Sequence, residues 1–249
     1  MARLLLIIAL LSGMTVVQAQ AQAQVPAQVL LYGDDNYPPV IYQQGSETHG
    51  VLADLLRFVA RDIRLPITLE LYPWKRAYSL AALGRAGIIG VSWNEERAQQ
   101  FDYSDPIYRD DINVVVMKGR EFAFARPQDL AGKRVGGQIS ASYGNEADLA
   151  LARADVVLER DTDQRARLRK LRAGRIDCAL IGNGAEGFRQ LISSDPELQA
   201  RADDFVVLPV PLARDTLFLA FAKSQRMQPF LAQFNASLKN WQKQRPRGS

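Results

Sequence analysis

Between Gly50 and Ile63 an apolar stripe runs through 51, 52, 55, 56, 59, 60 and 63. That spacing predicts an amphipathic helix. On either side the pattern changes. Val29-Leu30-Leu31-Tyr32 is a short apolar run closed by the turn-rich Gly33-Asp34-Asp35-Asn36, and Ile67-Thr68-Leu69-Glu70-Leu71 alternates. Both predict strands. Further along, the same reasoning predicts helices over 74–83, 144–154, 162–173 and 186–192, and a closing helix over 227–242. Strands are predicted over 88–91, 112–117, 134–137, 156–158, 177–181, 205–208 and 216–221.

Strands alternating with helices predict an α/β chain whose mostly parallel sheets are covered on both faces. The order also repeats coarsely. Leu83-Gly84-Arg85 before one buried strand is echoed by Leu171-Arg172-Ala173-Gly174-Arg175-Ile176-Asp177 before another. Two α/β lobes, each with its own sheet, explain this better than one long sheet.

The N-terminus follows other rules. Met1-Ala2-Arg3 is basic, Leu4 to Val17 is almost wholly apolar, and Gln18 to Gln24 repeats Ala-Gln. This is the layout of a secretory signal peptide over 1–23, too short to span a bilayer, and it places the protein in the periplasm. Cleavage after Ala19, Ala21 or Ala23 fits equally. The net charge of +4 falls to +3 on loss of Arg3. That balance gives no support to a nucleic-acid partner. The basic run Arg165-Ala166-Arg167-Leu168-Arg169-Lys170-Leu171-Arg172 reads as a solvated helix face, with Leu168 and Leu171 turned inward and the cations in water. Cys178, the sole cysteine, excludes an internal disulfide and sits in an apolar run where a buried, inert thiol is expected.

The stretch Ser92-Trp93-Asn94-Glu95-Glu96-Arg97 places one guanidinium just inside a helix start, with Ser92 and Glu95 spaced as a capping box. The residues alone favour a surface ion pair of Arg97 with Glu95, Glu96 or Asp102. The wider set of motifs points elsewhere. Asp34-Asp35-Asn36-Tyr37-Pro38-Pro39, Gly50-Val51-Leu52-Ala53-Asp54-Leu55-Leu56, Pro73-Trp74-Lys75-Arg76-Ala77, and Glu96-Arg97 with Phe101-Asp102-Tyr103-Ser104-Asp105-Pro106 follow one another in order. Asp129-Leu130-Ala131-Gly132-Lys133, Gly174-Arg175-Ile176-Asp177 and Phe234-Asn235-Ala236-Ser237-Leu238 come later. In this order they resemble the periplasmic solute-binding proteins of the amino-acid-type (family 3) ABC importers, in the branch with a Pro-Trp-Lys-Arg-Ala motif.

The resemblance implies a two-lobed, periplasmic-binding-protein-like (type II) fold that closes about a hinge, with the ligand cleft between the lobes. Lobe one would hold 24–116 and 214–249, and lobe two 117–213, with crossings near Val116 to Gly119 and Val210 to Asp215. Arg97 aligns with the family's carboxylate-binding arginine, whose planar fork offers two parallel donors that Lys cannot copy. Ser92 lies at the same helix start, whose free N–H groups add donors for an anion. Tyr37 and Trp74 align with aromatics that sandwich the ligand, and Trp93 could close over it, although each could equally be core packing. Ser140, Ser142 and Tyr143 fall in the polar loop that clamps from lobe two, with helix capping the competing role for either serine.

Two positions depart from the family. The acid that pairs with an α-ammonium, expected shortly after Asp177, is replaced by Gly182 or Asn183, and Asp34 is the candidate substitute. Gly87 stands where the family has Asp. The implied partners are a small polar, carboxylate-bearing solute and a membrane ABC permease or receptor, with the protein a monomer. No cofactor, metal or catalytic residue is called for. His49, the only histidine, sits in a turn, there is no Gly-x-Ser-x-Gly elbow, and one His with one Cys makes a poor zinc site. The enzymatic rival is a dehydratase on the same fold using Glu146 as acid. A solute-sensing partner of a membrane receptor would share the binding step.

Overall fold

A computed structural model describes residues 26–244, so the expected signal peptide and its cleavage site lie outside the described residues. In chain order the elements are β1 (Val29–Asp34), β2 (Asn36–Tyr37), β3 (Ile41–Gln44), β4 (Glu47–His49), α1 (Val51–Asp62), β5 (Ile67–Tyr72), α2 (Trp74–Ala82), β6 (Gly87–Ser92), α3 (Glu95–Gln100), β7 (Phe101–Tyr103) and β8 (Tyr108–Met117). They continue with β9 (Arg134–Gln138), α4 (Asn145–Arg153), β10 (Val157–Asp161), α5 (Gln164–Arg172), β11 (Cys178–Ile181), α6 (Gly184–Ser193), α7 (Pro196–Gln199), β12 (Phe205–Val207), β13 (Ala213–Ala222) and α8 (Gln228–Gln244).

The ten larger-sheet strands run β10-β9-β11-β8-β13-β6-β1-β5, with β12 added to β8 and β7 to β13. Pairing is parallel among the outer strands, β5-β1-β6 and β10-β9-β11. It is antiparallel wherever β8 or β13 takes part. The sheet is therefore mixed rather than mostly parallel, because the chain leaves one half along β8 and returns along β13 in the opposite direction. β8 pairs with β13 over 108–112 and then with β11 over 113–115. β13 in turn passes from β8 to β6 at Leu217. These two strands join the lobes.

Both halves are covered on both faces. In the first, α1 and α8 bury Leu52, Leu55, Phe230 and Phe234 on one side, while α2 buries Trp74, Ala77 and Ala81 on the other. In the second, Val114 and Val116 face the layer of Leu130, Val135 and Leu180, and Val115 faces Leu168, Leu171 and Leu191 under α5 and α6. This alternation along β8 is what a strand buried on both faces demands. Cys178 is fully buried and its thiol is pushed up to about 12 by burial, so it stays protonated. Gly87 lies where a Cβ would come within 2.5 Å of the Phe221 ring and 2.7 Å of Leu31, which accounts for the absence of a side chain there.

Three features depart from the sequence pattern. The small sheet β2-β3-β4, the three-residue β7 and the four-residue α7 are too short for any periodicity to register. β8 and β13 begin earlier than their apolar runs, because their polar first halves pair with each other. The basic run on α5 is not a solvated face. Arg169 pairs with Asp195 and Glu197, Arg172 with Glu197, and Arg167 is only 2% exposed. Its Nη2 donates to Asp161 Oδ1 at 2.7 Å, and its Nη1 donates to the Leu180 carbonyl. With Leu168 and Leu171 turned toward β11, Arg167 shares their buried arc of the helix.

Truncating that buried pair should be costly, since Asp161 would keep only Lys170, 3.6 Å away. Arg167→Met is expected to lower stability in urea unfolding by about 3–5 kcal/mol, toward the smaller figure. A loss below about 1 kcal/mol would mean the pair is a bystander.

Candidate ligand cleft between the lobes

Parallel strands bring their C-terminal ends to one edge of a sheet, where side chains share a crevice. Asp34 ends β1, Trp74 opens α2 after β5, Ser92 ends β6, Gln138 ends β9, and Gly182 follows β11. Asp110 joins them from β8. With Tyr37 these residues line a cavity of about 50 Å³, walled by Ile41, Ile89, Ile112, Leu180 and Leu217. That is room for little more than a water, well below the roughly 300 Å³ of a small-molecule pocket. The cavity as it stands does not hold an amino-acid-sized solute.

Hydrogen bonds stitch the two sides. Gln138 Nε2 donates to Asp34 Oδ2 at 2.9 Å, Asn183 Nδ2 to the Pro38 carbonyl at 3.2 Å, and Ser92 Oγ to the Ser142 carbonyl at 3.2 Å. The Ser140 carbonyl accepts from both Trp74 Nε1 and Arg97 Nη2, each at 3.0 Å. Arg97 Nη1 donates to the Ser92 carbonyl at 3.0 Å, and the guanidinium carbon lies 4.7 Å above the Tyr78 ring. Arg97 is 6% exposed, so its donors turn into the cleft and not toward Glu95, Glu96 or Asp102.

Three acids share this region. Asp110 accepts from the Tyr37 hydroxyl through Oδ2 and from the Asn183 N–H at 2.7 Å through Oδ1. Gly182 makes this approach possible, since a Cβ there would sit 1.8 Å from the Tyr37 oxygen. Asp215 lies directly opposite Asp110 in the β8–β13 register. Burial raises all three carboxyls: Asp34 to about 6, Asp215 to about 7, and Asp110 above its ordinary value. For Asp215 the Ser92 side chain, the Thr216 N–H and Arg97 oppose the shift, and the charge of Asp110 adds to it.

Of the residues singled out from sequence, Asp34, Tyr37, Trp74, Ser92, Ser142 and Tyr143 line the cavity, and Arg97 and Ser140 line an adjoining pocket. Asn183 reaches the cavity only through its N–H to Asp110. Trp93 does not reach it. It follows Ser92 on the opposite side of the extended chain and is 40% exposed. The Ser92 capping box is not formed either; Asn94 caps α3, accepting the Arg97 N–H at 2.8 Å, because Ser92 still belongs to β6. The two loop serines act otherwise than expected. Ser140 adopts a left-handed backbone, φ 59°, and serves through its carbonyl, while Ser142 Oγ donates to Asp148. Tyr143 Oη accepts the Gln138 N–H at 2.8 Å. Glu146 is exposed on α4 outside the cavity, and His49 lies on β4, stacked against Tyr42.

Asp110, Asp215 and Gln138 escaped the sequence reading. Their signal was polar residues at the heads and tails of apolar strands: Asp110-Asp111 before Ile112, Arg214-Asp215 before Thr216, and Gln138 after Gly136-Gly137.

A two-lobed α/β chain with a crevice at the strand ends has the periplasmic-binding-protein-like architecture. The chain belongs to the bacterial extracellular solute-binding proteins, family 3, whose model matches residues 30–244. That description is one of binding and not of catalysis. Among curated proteins it is similar to the L-cystine-binding protein TcyJ of Escherichia coli (strain K12), 26% identical over 156 residues; the match covers 61% of this chain and 58% of the relative's length. Among solved structures it is similar to the arginine-, lysine-, histidine-binding protein ArtJ of Geobacillus stearothermophilus, with a TM-score of 0.70, 20% identity, and coverage of 87% of this chain and 90% of that one. A histidine kinase sensor domain with similarity to periplasmic binding proteins superposes with a TM-score of 0.69 at 24% identity, covering 87% and 90%. Among the described residues no helix is long and apolar enough to cross a membrane.

The raised Asp215 carboxyl gives a pH test. Its folded value, about 7 against an ordinary 3.8, means the folded state holds the extra proton between these values, so its contribution to stability falls as pH rises through that window. Asp215→Asn should therefore be more stable than the parent by about 1–3 kcal/mol at pH 8. The two should converge near pH 4. Parallel melting curves across the range would expose an error in sign.

Proposed function

We propose that the protein captures a carboxylate-bearing solute of the amino-acid class in the cleft, closes about β8 and β13, and presents the closed form to a membrane ABC permease from the periplasm. The observation that carries this reading is Arg97. It is buried at the lobe junction, with its fork divided between a carbonyl of its own lobe and the Ser140 carbonyl opposite. A ligand carboxylate replacing the Ser140 oxygen would keep the guanidinium satisfied and add opposite charge, a stronger bond than the neutral one it displaces. The same closing step would serve a membrane receptor, a reading favoured by the likeness in fold to the sensor domain.

A melting-temperature screen of the mature protein against amino acids, polyamines, dicarboxylates and small peptides is the test. A solute at a hundred times its dissociation constant should add about 2.7 kcal/mol to native stability. A screen in which only carboxylate-free amines stabilise would remove the Arg97 reading. With the solute found, Arg97→Lys should bind at least about tenfold more weakly, because a point charge cannot span two acceptors. Undiminished affinity together with a lowered melting point would make Arg97 a structural residue only.

A further inference from the structure

The cleft holds more negative charge than a neutral amino acid would balance. Asp34 and Asp110 both line the cavity, and Asp215 backs Asp110 across the hinge strands. The cations nearby are already committed. Arg167 touches the cavity but is tied to Asp161, and Arg97 is the group assigned to a ligand carboxylate. Each lining carboxylate accepts two protein donors, Asp34 from the Asn36 N–H and Gln138, Asp110 from Tyr37 and the Asn183 N–H. An ionised carboxylate has about four acceptor sites, so both retain capacity.

The Gln164 side chain also lines the cavity, and its amide oxygen is buried with no hydrogen-bond partner among the described residues. The Trp74 ring also lines the cavity, and an indole attracts a cation placed over its face.

We propose that the cleft selects a solute of net positive charge, a basic amino acid whose α-ammonium and second cationic nitrogen are shared between Asp34 and Asp110. The assignment rests on the amino-acid reading above. Once the α-carboxylate is on Arg97 and one acid faces the α-ammonium, a further buried carboxylate is left, and a second cation answers it. An acidic solute would bring like charge onto desolvated carboxylates and be rejected. A neutral one would leave an acid buried without a counter-charge.

Calorimetric titration of the mature protein at pH 7.5 with L-arginine, L-lysine, L-citrulline, L-glutamine, L-glutamate and L-cystine decides this, since citrulline matches arginine in shape without its charge. Arginine or lysine should bind at least about tenfold more tightly than citrulline or glutamine, with glutamate undetectable. Equal or tighter binding of citrulline, glutamine, glutamate or cystine would overturn the charge assignment and leave the amino-acid reading standing. Silence toward all six would sink both. In Asp110→Asn and Asp34→Asn the preference for arginine over citrulline should shrink at least about fivefold, as expected on losing a charge-assisted bond. An undiminished preference in both folded variants would overturn the placement of the cation. If Asp110→Asn does not fold, Asp34→Asn alone carries that arm.

Discussion

Two strands must belong to two lobes at once, and the rest of the molecule is arranged around that constraint. β8 and β13 pair with each other over 108–112 and 213–217, then each continues along strands of a different half of the one sheet. The shared segment lies in the middle of the structure, where water is scarce, yet it carries Asp110 opposite Asp215. Like charges directly opposed on paired strands destabilise a sheet. The fold tolerates them by surrounding Asp110 with donors, the Tyr37 hydroxyl from one side and the Asn183 N–H from the other. Those donors come from opposite halves, so an acid on the hinge becomes a fastening between lobes.

The same logic explains the Ser140 carbonyl. It belongs to the second half, sits at a left-handed residue, and takes donors from Trp74 and Arg97 of the first. Both donors come from helix beginnings placed after parallel strands, where the strand ends aim side chains at the crevice. The polar layer of the cleft is thus a set of hydrogen bonds made between the two halves.

Much of this was legible beforehand. Strand-helix alternation identified the α/β class, and the stripe at 52, 55, 56 and 59 became the buried face of α1. Seven motifs in order pointed to the family that the comparison bears out. What was not legible has physical reasons. Asp110 and Asp215 look like strand boundaries because polar residues usually end apolar runs; here the strands continue through them and pair with each other. Arg167 looks solvated because cations usually are, and only the presence of Asp161 at the end of β10 makes its burial affordable. Trp93 looks like a lid because it adjoins Ser92, but adjacent residues of an extended chain face opposite ways.

The central claim is that the halves part and close around a solute. Spin labels at Ser79 on α2 and Arg153 on α4, both exposed and on opposite halves, report that motion directly, and Cys178 is too buried to interfere. Pulsed dipolar distances measured with and without saturating L-arginine should shift from a longer, broader distribution to a shorter, narrower one. An unchanged distribution in a sample whose melting temperature has risen with arginine would contradict closure, and with it the part assigned to β8 and β13.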